Sequence, residues 1–178
     1  MDKIIPFAHK LLAEVANNGV CIDMTAGNGN DTLMLAELAS KVYAFDIQEV
    51  AVKNTKEKTI GKDNVVIIKD SHDNVLNYVN EKVNGVIYNL GYLPCGDKSI
   101  TTNYETTISS LKKVLTMLNV HGRVVIVCYP GCSSGKKESD ELDVFLSSLS
   151  QKEYSVIVYK FINQINNPPF IYAIEREK

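Results

Sequence analysis

Long apolar runs, internal repeats and low-complexity linkers are all missing from this 178-residue sequence. No segment approaches the ~20 apolar residues that cross a bilayer. The first residues, MDKIIPFAHKLLAEV, carry His9 and Glu14 within their apolar stretch and show neither a signal-peptide core nor a cleavage site. We therefore predict a cytoplasmic protein with one domain, residues 1–178, which is long enough to fold without disulfides or metals.

Cysteine is scarce, with four residues in the chain. Cys21 and Cys128 lie inside apolar, strand-like runs, where cysteine usually behaves as a small buried hydrophobe. Cys128 and Cys132 could join Cys95 at a zinc ion, but the sequence offers no second close pair. We predict reduced thiols and no metal site.

A basic excess is also absent, because the net charge is -2. Proteins that clamp long nucleic acids usually carry a marked positive charge. We therefore do not expect DNA as a partner, and any contact with RNA must use a local patch. The lysines that could form such a patch, or simply be solvated, are Lys98, Lys112, Lys113, Lys136, Lys137 and Lys152.

Strand-like and helix-like patterns alternate through most of the chain, which predicts an α/β fold with a parallel sheet and helices on both faces. The apolar runs are nearly continuous, as expected for strands buried on both sides. The predicted helices are 3–17, 31–39, 49–58, 74–81, 104–118 and 138–149, and the predicted strands are 20–24, 42–45, 65–68, 86–90, 123–129, 154–162 and 170–175.

The last two predicted strands are joined only by the segment NQINNPP, which is too short for a crossover helix. They should therefore pair antiparallel. Five parallel strands followed by an antiparallel hairpin form the layout of class I methyltransferases, with a seven-stranded Rossmann-like sheet. A dehydrogenase domain would continue with another helix and a parallel strand.

A glycine-rich loop, Asp23 to Asp31, follows the first strand and opens a helix. Gly27 and Gly29 allow a tight turn and a close approach of backbone to ligand. A dinucleotide-binding loop would have a third glycine where Thr32 stands, and Asp31 would repel a pyrophosphate.

S-adenosylmethionine has no phosphate and carries a sulfonium and an ammonium, so it suits this acidic loop better. Asp23 fits the cationic ligand, and Asp46, at the end of the second strand, can accept hydrogen bonds from ribose hydroxyls. The alternative is a plain glycine turn in which Asp31 caps the helix.

Several longer motifs carry a resemblance to a known family: FAHKLL, DMTAGNGNDT, FDIQ, DSHDN, NLGYLPCGDKS and FINQINNPPFIYAIE. Across nearly its whole length the chain resembles the YtqB-like rRNA methylases, now understood as bacterial tRNA wobble-uridine methyltransferases and also called MnmM. The resemblance implies a Rossmann-like fold, S-adenosylmethionine as cofactor and methylation of the amine of 5-aminomethyl-(2-thio)uridine in tRNA. The matching cofactor positions would be Asp23, Gly27, Asn28, Asn30, Asp31, Asp46, Gln48, Ser71 and His72.

The NLGYLPCGDKS segment follows the fourth strand, where this fold usually places its acceptor. Asn89 and the backbone of Leu90 and Tyr92 could orient an amine. Leu90 is also a candidate for cofactor binding, as is Gly29 of the glycine-rich loop. Tyr92 could stack on a base, as aromatic side chains do with unstacked RNA bases. Asp97 could accept a proton or anchor an ammonium, or could be a solvated residue of a Gly-Pro turn.

Four other residues have open interpretations. His72 could lie beside an adenine or only satisfy local hydrogen bonds, and His9 could cover the cofactor or face solvent. Cys132 stands where members of the family commonly have a histidine, which puts substrate choice in doubt. Asn167 to Phe170 form a proline-stiffened connection in which Phe170 could offer a stacking face.

Other functional classes remain open on the residues alone. One is a nicotinamide-dependent oxidoreductase, and another is a non-catalytic S-adenosylmethionine-binding module. Within methyltransferases, the substrate could be rRNA or a small molecule instead of tRNA. A homodimer would help a small acidic protein to hold a tRNA stem and is kept as a hypothesis.

Overall fold

The computed structural model describes residues 1–91 and 101–178 of the chain. Seven strands lie in one sheet: β1 (Val20–Asp23), β2 (Lys41–Asp46), β3 (Val65–Lys69), β4 (Val83–Asn89), β5 (Leu118–Cys128), β6 (Tyr154–Tyr159) and β7 (Phe170–Arg176). The helices are α1 (Ile4–Ala16), α2 (Asn30–Ala36), α3 (Glu49–Lys58), α4 (Tyr104–Met117) and α5 (Ser133–Ser147), with a short 3-10 helix at His72–Asn77.

The order of strands across the sheet is β3-β2-β1-β4-β5-β7-β6. Strands β1 to β5 pair in parallel, whereas β7 pairs antiparallel with both β5 and β6. The predicted α/β Rossmann-like architecture with a C-terminal antiparallel hairpin is therefore confirmed. The chain reverses its direction of travel across the sheet between β1 and β4, and ligands of such sheets bind beyond the strand ends at that point.

Two apolar layers hold the helices against the sheet, because neighbouring residues of a strand point to opposite faces. On one face, Ile22, Tyr88 and Ile126 pack in a layer with Leu111 of α4 and Leu142 of α5. On the other face, the layer includes Cys21, Ile87, Val125, Leu12 of α1 and Leu35 of α2. Burial of both faces explains why the central strands are apolar throughout.

Most predicted elements agree with the structure to within three residues at each end, and three differ by more. The predicted helix 74–81 is wrong, because the chain forms the 3-10 helix His72–Asn77, in which Asn74 has non-helical dihedral angles. Strand β5 begins at Leu118 and helix α5 at Ser133, each five residues earlier than predicted. Gly135 permits the early start of α5, since a Cβ at this position would collide with the Tyr129 carbonyl.

Within residues 1–91 and 101–178, no helix has the length and apolar character needed to span a membrane. The same residues contain no group of three or more potential metal-binding side chains. Cys21 and Cys128 are buried free thiols, as predicted, and Cys132 is exposed. Cys95 lies outside the described residues.

Candidate active site

A cavity of about 1020 Å³ opens at the carboxyl ends of the parallel strands. It is formed by the loops after β1, β2, β3, β4 and β5, together with the connection between β6 and β7. Ten of the residues predicted for the site line this cavity: Gly27, Asn28, Asn30, Asp31, Asp46, Gln48, Ser71, His72, Asn89 and Leu90. Tyr92 and Asp97 lie outside the described residues, so their roles stay predictions.

Asp46 holds the glycine loop in place from the end of β2. One carboxylate oxygen, Oδ2, accepts the Gly27 N–H at 2.9 Å, and Oδ1 accepts the Gln48 N–H at 2.9 Å. An ionised carboxylate has about four acceptor positions. Two of them therefore remain for hydroxyl groups of a ligand in the cavity.

Asp23 is completely buried and does not line the cavity. Its carboxylate accepts the Thr25 N–H at 3.1 Å and the Thr32 hydroxyl at 2.6 Å. Burial raises the pKa of Asp23, and the nearby charge of Asp31 raises it further. The Asp23 side chain therefore holds the loop between β1 and α2 from beneath the cavity. It does not reach the cavity surface, where a cationic ligand would contact it.

Gly29 also lies behind the cavity surface. It adopts the left-handed conformation at φ 75°, and a Cβ here would come within 2.9 Å of the Thr55 Cα atom of α3. Glycine is required at this position because α3 packs directly against the turn. Close approach to a ligand, the reason given from sequence, does not apply to Gly29.

Asn28 and Asn30 line the cavity and are tied to α3 by their side chains. The Asn54 amide donates to Asn28 Oδ1 at 2.9 Å, and the Lys58 ammonium donates to Asn30 Oδ1 at 2.6 Å. Each asparagine oxygen thus accepts one hydrogen bond from α3, which fixes the orientation of the side-chain amide.

Asp31 joins three elements at the floor of the cavity and is only 6% exposed. Its Oδ1 atom lies 2.5 Å from Nε2 of His9 on α1, and Oδ2 accepts Asn89 Nδ2 at 2.9 Å. The alternative interpretation of Asp31 as a helix cap is wrong, because α2 begins after Gly29 and no side chain caps it. His9, for which the sequence left solvent exposure open, is a partner of the site.

The Asn89 side chain has its orientation set by this contact. A carboxylate only accepts hydrogen bonds, so the N–H₂ group of the amide must face Asp31. The Asn89 backbone N–H is fixed as well, since it donates to Thr25 Oγ1 at 2.8 Å. Among residues 1–91 and 101–178, no donor is bonded to the amide oxygen, so it can accept a hydrogen bond from a group in the cavity.

Ser71 and His72 form the wall that follows β3. The Ser71 hydroxyl accepts the Asp73 N–H at 3.2 Å, which starts the 3-10 helix. His72 is 9% exposed, and its ring meets the Tyr88 ring edge-on with centroids 5.7 Å apart. Its Nδ1 atom is buried and has no hydrogen-bond partner among residues 1–91 and 101–178. Burial lowers the pKa of His72 to about 4, so the ring is neutral at pH 7.

Replacing His72 by phenylalanine is expected to flatten the pH dependence of stability. Below pH ~6.5 the unfolded chain binds a proton at this residue and the folded chain does not, so stability falls as pH decreases towards 4. The parent should lose roughly 2 kcal/mol more than His72→Phe between pH 7 and pH 5. Urea unfolding of both proteins at the two pH values measures the difference, and equal losses would contradict the buried neutral histidine.

The rest of the cavity, here named the acceptor half, is lined by residues that the sequence interpretation largely missed. Tyr129 follows β5, and Thr102 precedes α4. The strand-end rule that selected Asp46 and Asn89 also points to Tyr129. Cys132, Asn167 and Pro169 line this half too, whereas Phe170 is buried with its ring 5.1 Å from Tyr172, which removes the proposed stacking face.

A doubly wound sheet with an antiparallel hairpin at its C-terminal end and an acidic cavity at the strand ends defines a methyltransferase of the Rossmann-like fold. The Putative rRNA methylase family model matches residues 42–175, and the chain belongs to this family.

The comparisons with individual proteins agree. A chloroplastic tRNA (mnm(5)s(2)U34)-methyltransferase of Arabidopsis thaliana is 32% identical, over 98% of this chain and 70% of that protein. A methyltransferase structure from Streptococcus mutans, in complex with SAH, is 41% identical and covers 99% of both chains with a TM-score of 0.93. An rRNA-methylase structure from Clostridium thermocellum is 38% identical, with a TM-score of 0.96 over 99% of this chain and 98% of that chain.

Proposed function

We propose that this methyltransferase transfers the methyl group of S-adenosylmethionine to the amine of 5-aminomethyl-(2-thio)uridine at the tRNA wobble position. The Arabidopsis relative bears the name of a closely related tRNA activity. The observation that carries the proposal is the Asn89 amide, which Asp31 orients at the cavity floor. A primary amine needs an acceptor that is fixed in direction, and Asn89 Oδ1 is such an acceptor.

The described residues fit this cofactor. Asp46 has acceptor positions left for ribose hydroxyls, and the neutral ring of His72 lines the wall where an adenine would lie. Gly27, Asn28, Asn30, Gln48 and Ser71 would complete the binding surface. When bound, S-adenosylmethionine supplies an electrophilic methyl group on a sulfonium. SAH, present in the Streptococcus mutans structure, is S-adenosylhomocysteine, the same molecule without that methyl group.

The chain's own side chains would prepare the amine. An aminomethyl group is mostly protonated near neutral pH and must lose a proton before its nitrogen can attack. Asn89 Oδ1 would accept one N–H and thereby direct the nitrogen lone pair. Asp31 Oδ2, beside the Asn89 amide, would take the proton, and the bond from His9 to Oδ1 would hold the carboxylate in place. Asp97 remains the alternative acceptor predicted from sequence.

The net charge of the chain is -2, so the protein has no general basic surface for RNA. RNA contact would therefore use a local patch of lysines around the cavity. Lys113 is engaged by the Asp73 carboxylate at 2.6 Å, and Lys136 by Asp140 at 2.9 Å. Lys137 lies over the Tyr104 ring, 4.6 Å from its centroid, and Tyr104 directly follows Asn103, which lines the cavity. Lys98 lies outside the described residues. Among Lys113, Lys136 and Lys137, Lys137 is the one we propose as an RNA contact, and two subunits sharing one tRNA is a further hypothesis.

Nucleoside mass spectrometry tests the substrate directly. The purified protein and S-adenosylmethionine are incubated with tRNA that carries aminomethyl-thiouridine at the wobble position, and with the same tRNA carrying unmodified uridine. We expect the methylated amine only in the first tRNA. Methylation of both tRNAs, or of rRNA or a small amine in place of tRNA, would overturn the proposed substrate.

A further inference from the structure

Gly91 and Thr102 form a hydrogen-bonded pair beside the acceptor half of the cavity. The Thr102 N–H donates to the Gly91 carbonyl at 3.0 Å, and the Gly91 N–H donates to Thr102 Oγ1 at 2.9 Å. Gly91 has φ 117°, a conformation that favours glycine. It lies two residues after Asn89, so the pair fixes the backbone immediately beyond the amide that would orient the amine.

Glu138 of α5 lies behind this pair and is 4% exposed. Its Oε2 atom accepts the Thr102 hydroxyl at 2.7 Å, and Oε1 accepts the Thr107 hydroxyl of α4 at 2.8 Å. A threonine has one hydroxyl proton. Because Thr102 gives that proton to Glu138, its oxygen lone pairs are left to face the Gly91 N–H.

Burying a carboxylate costs free energy, so the presence of Glu138 at this position needs a structural reason. Burial raises the pKa of Glu138, while the hydroxyls of Thr102 and Thr107 act in the opposite direction. An apolar side chain would fill the same space without the cost of desolvation. Unlike an apolar side chain, the carboxylate fixes the orientation of the Thr102 and Thr107 hydroxyls. It thereby connects α5 and α4 to the backbone next to Asn89.

We propose that Glu138 is a positioning residue for methyl transfer: acting through Thr102, it holds Gly91, and with it Asn89, in place at the acceptor half of the cavity. The kinetic part of this inference rests on the proposed function. The structural part concerns only the contact between Thr102 and Gly91, and it can be measured without RNA.

The kinetic test compares Thr102→Val with Thr107→Val. Both remove a hydroxyl bonded to Glu138, but only Thr102→Val removes the acceptor of the Gly91 N–H. We expect Thr102→Val to lower kcat by about 10- to 100-fold, because the Gly91 N–H is left without its acceptor beside Asn89, and Thr107→Val to change kcat by less than about threefold. Thr102→Ser should restore most of the rate, and all three should bind S-adenosylhomocysteine like the parent.

Amide hydrogen exchange at Gly91, followed by NMR on the protein without RNA, is the independent measurement. We expect exchange to accelerate at least about tenfold in Thr102→Val and in Glu138→Ala, and to stay near the parental rate in Thr107→Val. If Glu138→Ala does not fold, Glu138→Met, which fills the same space without a hydrogen-bond acceptor of comparable strength, replaces it with the same expected acceleration.

Unchanged Gly91 exchange in Thr102→Val or in the Glu138 variant, or equal loss of kcat in both valine variants, would overturn the positioning role of Glu138. Failure of the parent protein to methylate the tRNA would overturn the proposed substrate instead, and the exchange measurement would still decide whether Glu138 holds Gly91.

Discussion

Asn89→Ala is expected to lower kcat for methyl transfer at least about 100-fold while the Kd for S-adenosylhomocysteine changes by less than about threefold. The amide oxygen is the group that Asp31 orients toward the acceptor, and removal of one preorganised hydrogen-bonding group from an active site commonly costs 10²- to 10³-fold in kcat. Cofactor binding should persist, because Asp46 and the loop after β1 do not depend on this side chain. Single-turnover methyl transfer and calorimetric titration measure the two quantities.

The matched control is Asn84→Ala. Asn84 is on the same strand, β4, but near its opposite end, where its side chain accepts a bond from Asn119 at 3.1 Å. This variant should keep the parental kcat. If Asn89→Ala turned over as fast as Asn84→Ala, Asn89 would have no role in the reaction. If it lost affinity for S-adenosylhomocysteine instead, Asn89 would belong to the cofactor site.

Asp46→Ala is expected to weaken binding of S-adenosylhomocysteine about ten- to a hundredfold, from hydrogen bonds to a charged acceptor worth roughly 1.5–3 kcal/mol. The loss should fall near the upper end, because the variant also releases the Gly27 and Gln48 N–H groups that shape the loop. Asp46→Asn should bind with intermediate affinity, since an amide oxygen can accept only part of these bonds. Calorimetric titration of the three proteins measures the series.

Asp63→Ala provides the control for Asp46→Ala, because Asp63 is an exposed aspartate in the turn before β3. It should bind S-adenosylhomocysteine as the parent does. Circular dichroism and thermal melting show whether each variant is folded. A folded Asp46→Ala protein with parental affinity would remove the ribose contact and, with it, the orientation proposed for the cofactor.

The fold could be predicted from sequence because its signals are local. Continuous apolar runs mark buried parallel strands, and the short NQINNPP connection leaves β6 and β7 no geometry other than a hairpin. Asp46 and Asn89 were found by the same kind of reasoning, since each ends a strand on the ligand-binding edge of the sheet.

The rest of the site depends on contacts between distant parts of the chain. Gly29 is required by the Thr55 backbone of another helix, and Asp31 meets His9 across 22 residues. The pairing of Thr102 with Glu138 spans 36 residues. No periodicity or spacing in the sequence encodes these distances, because packing of helices on the finished sheet brings the partners together.

The position of β7 affects the order in which the strands of the sheet can pair during synthesis. Although Phe170–Arg176 is the last strand along the chain, it occupies an interior place in the sheet, between β5 and β6. A nascent chain on the ribosome therefore carries β5 with one unpaired edge until residue 176 has been added, and β6 has no neighbour at all before then. An open apolar edge favours association with other chains. Strand β7 thus closes the sheet and ends that exposure.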